Sequence, residues 1–165
     1  MTHYTYMESP VGRLLLAGDE EGLQRVAFAE GGKEARPHSD WSNDARPLRL
    51  AIEQLKAYFA GDLQKFELPL RMEGTPFQLA VWRALQDIPY GETASYGEIA
   101  RRVGTPQASR AVGLANGSNP IAIVVPCHRV IGSNGKLTGY GGGLGNKETL
   151  LALERKHAAA QAVLY

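Results

Sequence analysis

Three short, largely apolar runs lie near the start of the chain, at 4–7, 13–17 and 23–28, and the first of them alternates between apolar and polar positions. Turn-forming residues separate these runs, with Ser-Pro-Val-Gly at 9–12 and Asp-Glu-Glu-Gly at 19–22. Short apolar runs bounded by turn signals are typical of β-strands, and short turns join antiparallel neighbours. The first thirty residues therefore predict a small antiparallel meander.

The next forty residues change pattern three times. Residues 30–46 are polar and rich in Gly and Pro without an apolar period, which predicts a mobile loop. From Pro47 apolar side chains recur at helical spacing, and Gly61 stands where a C-terminal cap belongs. Residues 66–70 predict one further strand.

Helix start signals are clear in the second half of the chain. Thr-Pro-Phe-Gln at 75–78 combines an N-cap, a first-turn proline and a glutamine at the third helical position, and it predicts a helix reaching Ile88. Ser-Tyr-Gly-Glu at 95–98 predicts a second, short helix that ends near Val103. A last helix is predicted from Asn146.

A turn at Gly104 leads into a helix predicted from Thr105-Pro106 to about Asn116, so this helix and the preceding one match the helix-turn-helix pattern. Its side chains are small apart from Arg110. Two interpretations stay open at this point. The alanines pack against the preceding helix and Arg110 is merely solvated, or the small side chains let the helix approach another surface closely and Arg110 projects towards it.

These elements predict an α+β fold in two domains. Residues 1–74 form an antiparallel sheet with a helix, and residues 75–165 form a mostly helical domain with the helix-turn-helix. The net charge of +1 divides unevenly between them. The first domain carries nine Lys and Arg against twelve Asp and Glu, and the second carries nine against five. This asymmetry is weak support for a polyanion bound by the second domain.

No run approaches the ~20 apolar residues that cross a membrane, and the N-terminus lacks the pattern of a signal peptide. The single cysteine, Cys127, excludes an internal disulfide. Together these features predict a cytoplasmic protein.

Cys127 follows the apolar, β-branched residues 121–126, which predict a buried strand. A lone cysteine at such a place is commonly inert core filler. The adjacent His128 does not by itself argue for reactivity, because neighbours on an extended chain point to opposite faces. The surrounding motifs must decide between the two interpretations.

The sequence Pro-Cys-His-Arg-Val at 126–130 resembles the active-site signature of the O6-alkylguanine-DNA alkyltransferases, also called methylated-DNA–protein-cysteine methyltransferases. Further matching motifs flank it: Ile-Pro-Tyr-Gly at 88–91, Ser-Tyr at 95–96, Ser-Arg-Ala-Val-Gly at 109–113, Asn-Pro at 119–120 and Gly-Tyr-Gly-Gly-Gly-Leu at 139–144. The resemblance covers about 75–154 and is thinner before that. It implies a ribonuclease-H-like first domain and a winged-helix-like second domain.

The resemblance implies single-use transfer of an alkyl group from O6 of guanine in double-stranded DNA, and also from O4 of thymine, to Cys127. The nucleotide is first flipped out of the duplex. His128 would act on the thiol through a bridging water, and Glu154 would polarise His128. Tyr96 would bind the flipped base and donate a proton, while Arg110 would fill the gap in the stack.

Other matching positions complete the expected site. Asn119 would tie the recognition helix to the active-site strand, and Tyr140 with Gly141 would form a pocket wall. Further contacts to substrate or DNA are expected from Ala108, Ser109, Arg129, Val130 and Ser133. Some relatives carry Ser at the position of Gly141, which predicts a changed pocket width but a retained backbone N–H contact. Other relatives bind zinc through N-terminal cysteines, which this chain lacks, so we expect no metal and no cofactor. We expect a monomer that can cluster along DNA.

Two rival functions remain. A thiol hydrolase would use Cys127 with His128 or His157, but the sequence contains no oxyanion-hole motif. A helix-turn-helix protein could instead recognise alkylated DNA without reacting. The presence of Cys127 argues against that reading, since related non-reacting proteins carry another residue, such as Trp, at that position.

Overall fold

The computed structural model describes residues 1–30, 34–135, 140 and 143–164, except for the side chains of 160–164. The chain divides into two compact units, Met1–Met72 and Glu73–Tyr165. None of the described helices is long and apolar enough to cross a membrane.

The first unit is built on a four-stranded sheet in the order β3-β2-β1-β4. The strands β1 (His3–Met7), β2 (Leu14–Asp19) and β3 (Gly22–Phe28) pair antiparallel, which confirms the predicted meander. The inner strand β2 buries Leu14, Leu15 and Leu16 in succession instead of alternating, which means that both faces of the sheet are covered there.

Two expectations for this unit need correction. The stretch expected to be a loop contains the short strand β4 (Ser42–Asn43), which pairs parallel with β1, and a 3₁₀ turn at Arg46–Leu48. The strand expected at 66–70 is reduced to one bridge between Leu23 and Leu70. Pro69 lacks an N–H and contributes only its carbonyl oxygen to that contact.

The helix α1 (Arg49–Ala60) covers the predicted apolar period and buries Leu55 and Tyr58 completely. Gly61 ends it at φ 83°, a left-handed conformation in which glycine meets no steric penalty. The predicted cap is therefore confirmed.

The second unit begins with α2 (Pro76–Gln86), whose capping box forms as the sequence predicts. The Thr75 hydroxyl accepts from the Gln78 N–H, and the Gln78 side chain accepts from the Thr75 N–H. Farther along this helix, the buried indole N–H of Trp82 donates to the Ala115 carbonyl at 2.8 Å. This bond fixes α2 against α4 (Ser109–Gly117).

The helices α3 (Tyr96–Arg102) and α4 form the predicted helix-turn-helix pair. However, α4 begins at Ser109 and not at Thr105-Pro106. The Ala108 N–H donates to the Thr105 carbonyl at 2.9 Å, so the Thr-Pro pair closes a turn with proline at its second position. Gly104, at φ 81°, supplies the left-handed residue between the helices.

Two short strands, β5 (Ala94–Ser95) and β6 (Val130–Ile131), pair in parallel just before α3 and just after the Cys127 segment. The final helix α5 (Leu144–Leu164) begins two residues before the predicted start and follows Gly143. Residues 121–126 are buried as expected but are not a strand.

Candidate active site

Two tight, buried turns directly precede Cys127. Val124 N–H donates to the Ala122 carbonyl at 2.8 Å across Ile123, whose φ is 72°, so a γ-turn with positive φ lies in the apolar run. Cys127 N–H donates to the Val125 carbonyl at 2.8 Å across Pro126 (φ −81°, ψ 64°), which forms an inverse γ-turn. The chain therefore doubles back twice before it reaches the cysteine.

Asn119 holds this turn together. Its carboxamide oxygen accepts from Ile121 N–H at 3.0 Å, and its Nδ2 donates to the Val125 carbonyl at 2.8 Å. These bonds replace strand pairing for two backbone groups that would otherwise be buried without partners. The Asn119 side chain thus ties the residues that follow α4 to the chain just before Cys127.

Cys127 is the first residue of a 3₁₀ turn, Cys127–Arg129, and is 5% exposed. Burial raises the pKa of its thiol above the ordinary value. Hydrogen bonds from Asn119 and Tyr140 and the positive charge of Lys147 act in the opposite direction without cancelling the rise. The resting cysteine is therefore a thiol, with the groups that favour a thiolate already around it.

His128 and Glu154 form a buried pair. The His128 Nε2 lies 2.7 Å from the Glu154 Oε2, and neither side chain is more than 1% exposed. Burial lowers the pKa of His128 in spite of Glu154, so the ring is neutral at pH 7 and donates Nε2–H to the carboxylate. Its Nδ1 is buried and has no hydrogen-bond partner within the described ranges.

Glu154 receives four hydrogen bonds from three residues, which favour its carboxylate form. Burial would raise its pKa, but the hydrogen bond from His128 and the two hydrogen bonds from Arg129 outweigh this effect and lower the pKa to about 2. Gly91 N–H also donates to Oε1 at 3.3 Å. Glu154 can therefore fix the tautomer of His128 and leave Nδ1 able to accept a proton.

The prediction that Arg129 contacts substrate or DNA needs correction. The Arg129 side chain is 7% exposed, and its Nε and Nη2 donate to Glu154 at 2.8 and 3.0 Å. Its Nη1 donates to the Ile88 carbonyl at 2.7 Å. A guanidinium engaged in this way inside the core positions Glu154 and does not reach a phosphate.

Lys147 and Asn116 were missed from the sequence. Lys147 is fully buried, and its Nζ donates to the Val130 carbonyl at 2.6 Å and lies 5.9 Å from the Tyr140 ring centre. Lys147 and Glu154 are seven residues apart on α5 and lie on the same face as the buried Leu150 and Leu151. Two charged residues on an otherwise apolar helix face were the sequence signal that could have identified Lys147. Asn116 is 4% exposed and donates Nδ2–H to the Cys127 carbonyl at 3.3 Å.

Tyr96 is the first residue of α3, and its ring lies beside α4. It follows Ser95, which pairs with Ile131 in the parallel β5–β6 ladder, so α3 starts beside the chain that leaves the 3₁₀ turn. The Tyr96 ring also faces Gly113 of α4, where an added Cβ would lie 3.8 Å from Cε1. The Tyr96 ring is therefore beside the presumed recognition helix, and the backbone that precedes it pairs with the strand that follows the 3₁₀ turn.

The remaining predicted residues fall into three groups. Arg110 is exposed, and Ala108 and Ser109 are half-buried at the start of α4. The Val130 side chain is buried, so this residue can offer only its backbone, and Ser133 is exposed. Tyr140 acts to lower the pKa of the Cys127 thiol, whereas Gly141 lies outside the described residues. In the described part of the chain no three His, Cys, Asp or Glu side chains are grouped so as to hold a metal ion.

Fold and site together define a helix-turn-helix unit whose core carries one cysteine beside a His–Glu pair. Residues 76–156 match the model for the DNA-binding domain of 6-O-methylguanine DNA methyltransferase, and residues 2–72 match the model for its ribonuclease-like domain. The chain belongs to the 6-O-methylguanine DNA methyltransferase family.

Individual relatives are similar over nearly the whole chain. Methylated-DNA–protein-cysteine methyltransferase of Methanosarcina acetivorans is 59% identical, covering 92% of this chain and 97% of that protein. Its counterpart in Mycolicibacterium paratuberculosis is 56% identical and covers 100% and 99%. The crystal structure of the Mycobacterium tuberculosis O6-methylguanine methyltransferase aligns at 53% identity with a TM-score of 0.90, covering 99% of both chains. A structure of the M. tuberculosis protein in complex with DNA aligns with a TM-score of 0.88 at 53% identity and covers 94% of both chains.

Proposed function

We propose that this protein repairs DNA directly, by transferring an alkyl group from O6 of guanine to Sγ of Cys127. The observation that carries the proposal is the placement of the single cysteine. It is buried and directly precedes the neutral His128, whose ring is hydrogen-bonded to the ionised Glu154, in the unit that matches a DNA-binding domain.

The bond changes balance without a cofactor. The Cys127 thiol loses its proton, the sulfur bonds to the alkyl carbon, and the bond from that carbon to O6 breaks. We assign the thiol proton to His128 Nδ1 through a bridging water, because this atom is buried, lacks a partner in the described ranges and belongs to a ring oriented by Glu154. The guanine anion takes a proton from Tyr96, which directly follows the strand that pairs with Val130 and Ile131.

The thioether that forms has no hydrolytic exit, so each molecule reacts once. A base stacked inside a duplex cannot reach a buried sulfur, and the nucleotide must therefore leave the stack. The exposed Arg110 occupies the gap. Asn119 keeps the cysteine turn in place, Tyr140 forms one wall of the pocket, and Ala108 and Ser109 face the DNA backbone. We further propose that the protein acts as a monomer, can cluster along DNA, and works in the cytoplasm, where a lone thiol stays reduced.

Intact-mass analysis after mixing with a duplex that contains O6-methylguanine tests the proposal. We expect every molecule to gain one methyl group in place of one hydrogen, with the change on the peptide containing Cys127. The Cys127→Ser variant should gain nothing. A duplex containing O4-methylthymine tests the second substrate in the same way.

Two outcomes would contradict the proposal. Binding to the modified duplex without a mass gain would indicate a non-reacting recognition protein. Sustained turnover of ester or amide substrates would indicate a thiol hydrolase, since a self-inactivating thiol cannot cycle.

A further inference from the structure

Asn116 lies in the last turn of α4, on the face that also buries Val112 and Ala115. It is 4% exposed, and its Nδ2 donates to the Cys127 carbonyl at 3.3 Å. That carbonyl belongs to the peptide group that joins Cys127 to His128. The Asn116 carboxamide therefore lies against the backbone unit that carries both the thiol and the imidazole of the site.

This contact fixes the orientation of the carboxamide. A carbonyl oxygen can only accept a hydrogen bond, so the nitrogen of Asn116 must face the Cys127 carbonyl and its oxygen must face elsewhere. That oxygen, Oδ1, is buried and accepts no hydrogen bond in the ranges that the structure describes. Buried polar atoms nearly always have a protein or water partner, because an unsatisfied acceptor is unfavourable. Oδ1 therefore requires a donor.

His128 Nδ1 is a second buried atom that has no partner in the described part of the chain. In the neutral ring Nε2 donates to Glu154, so Nδ1 can only accept. The Cys127 thiol is the nearest donor in the sequence to both atoms. Two acceptors and one donor match the capacity of a single water molecule, which donates two hydrogen bonds and accepts the third. Buried waters typically make about three hydrogen bonds.

The Asn116 oxygen is also close enough to the cysteine backbone for one water to bridge the distance. A carboxamide oxygen is about 2.2 Å from its own nitrogen, so Oδ1 lies no more than about 5.5 Å from the Cys127 carbonyl oxygen. Two hydrogen bonds of ordinary length through one water span about the same distance.

We propose that Asn116 is a positioning residue whose Oδ1 anchors the water that carries the Cys127 proton to His128. This inference rests on the proposed function. The thiol proton passes to the water oxygen while one water proton passes to Nδ1, so the water is neutral before and after the step. The other water proton stays hydrogen-bonded to Oδ1. Asn116 thereby keeps the transferred proton directed at the imidazole.

The rate of Cys127 alkylation by iodoacetamide, measured against pH, tests this role without DNA or guanine. In the wild type, proton transfer to His128 inside the protein should give a rate that depends little on pH around neutrality. Asn116→Leu replaces the carboxamide with an apolar side chain and should lower the rate at pH 7 about tenfold. The two rates should converge towards about pH 10, where hydroxide removes the thiol proton directly.

The shape of the profile separates this role from support of the cysteine backbone alone. Loss of the hydrogen bond to the Cys127 carbonyl would misplace the thiol and lower the rate by the same factor at every pH. The charged and titratable groups that act on the thiol and the imidazole are unchanged in the variant, namely Glu154, Arg129, Lys147 and Tyr140. A changed profile is therefore due to the carboxamide.

Trp82→Phe is the matched control for a lost buried hydrogen bond on the same helix. It removes the indole N–H that donates to the carbonyl of Ala115, the residue before Asn116. Both variants should lower the thermal midpoint, and only Asn116→Leu should change the pH profile. Asn116→Ala, which cannot overfill the site, gives a second measurement and should show the same change of profile.

An unchanged rate of Asn116→Leu and Asn116→Ala, or a loss by the same factor at every pH, would overturn the inference and leave the proposed function intact. A loss in methyl transfer from O6-methylguanine without a loss with iodoacetamide would mean that the carboxamide contacts the base, and would also overturn it. A changed iodoacetamide profile in a protein that gains no methyl group from the duplex would support the anchored water and contradict the proposed function.

Discussion

Arg129 holds Glu154 through two parallel hydrogen bonds, from Nε to Oε1 at 2.8 Å and from Nη2 to Oε2 at 3.0 Å. The same carboxylate receives Nε2–H of His128 at 2.7 Å. The buried Glu154 carboxylate thus links the Arg129 guanidinium to the imidazole of His128, the residue after Cys127. Because both contacts meet at Glu154, removal of its charge affects the stability of the core and the chemistry of the site together.

Glu154→Gln should lower the free energy of unfolding by about 3 kcal/mol or more, because Arg129 then remains buried without a counterion. It should also slow alkyl transfer, since His128 loses its orienting acceptor. Chemical unfolding and single-turnover kinetics measure the two effects. Glu148→Gln is the matched control, an exposed glutamate of the same helix that should alter neither.

A double variant, Glu154→Gln with Arg129→Met, separates the two roles of Glu154. Removal of both charges should restore most of the stability, whereas alkyl transfer should stay slow. Recovery of the transfer rate together with stability would show that Glu154 acts only as a partner of Arg129.

The buried His128–Glu154 pair also sets how stability depends on pH. Folding lowers the pKa of His128. When the pH falls below the ordinary histidine pKa of about 6.5, the unfolded chain therefore binds a proton at this residue that the folded chain does not bind. Stability should therefore fall as the pH drops from 7 to 5, with a slope approaching about 1.4 kcal/mol per pH unit for this one proton. Glu154, with a pKa lowered to about 2, adds a second loss that begins below its ordinary value of about 4.3 and continues towards pH 2.

Urea unfolding between pH 7.5 and 4 measures this dependence. His128→Gln should remove the loss between pH 7 and 5. His38→Gln, which changes an exposed ring, should retain it. A wild-type stability that stays constant from pH 7 to 5 would contradict the assignment of a neutral buried His128.

Lys147 provides a prediction about the nucleophile. The buried core contains Arg129 and Lys147 as cations and Glu154 as an anion, so it becomes balanced when Cys127 loses its proton. Lys147→Met removes the positive charge that favours the thiolate. The rate of Cys127 alkylation by iodoacetamide should then fall about tenfold at pH 7, with its pH profile shifted to higher pH.

Lys147→Arg should keep the profile closer to that of the wild type, and Lys156→Met, at an exposed position of α5, should not change it. An unshifted profile for Lys147→Met would mean that the ammonium only supports the Val130 carbonyl.

The predictions from sequence succeeded where local interactions along the chain determine the structure. Thr75 with Gln78, and Gly61 after an apolar helix, specify caps through local hydrogen bonds and backbone conformation. The predictions failed where the role of a side chain depends on whether the fold buries it. From the sequence, the positive charge of Arg129 indicated a DNA contact. In the fold, Arg129 is hydrogen-bonded to Glu154 of α5, which lies 25 positions later in the sequence. Only the tertiary structure shows that contact.

The segment before Cys127 illustrates the same limit. Its β-branched residues favour a strand, and the burial they imply is present. The sequence does not show that the Asn119 side chain satisfies the Ile121 N–H and the Val125 carbonyl, which makes a double γ-turn possible without a strand partner. Side chains that replace backbone pairing leave no periodic signal.

Arg110 supports a last prediction about how the substrate reaches the thiol. Its side chain is exposed on α4, and we propose that it fills the stack that the flipped nucleotide leaves. Arg110→Ala should therefore slow transfer from a matched duplex about tenfold or more, because unstacking costs a few kcal/mol that the arginine no longer offsets. The loss should be smaller when the modified guanine lies in a single strand, and smallest for the free modified base, which has no stack to leave. Arg83→Ala, at an exposed position of α2, controls for the loss of one positive charge. Equal losses on all three substrates would remove the stack-filling role and leave Arg110 as a general electrostatic contact.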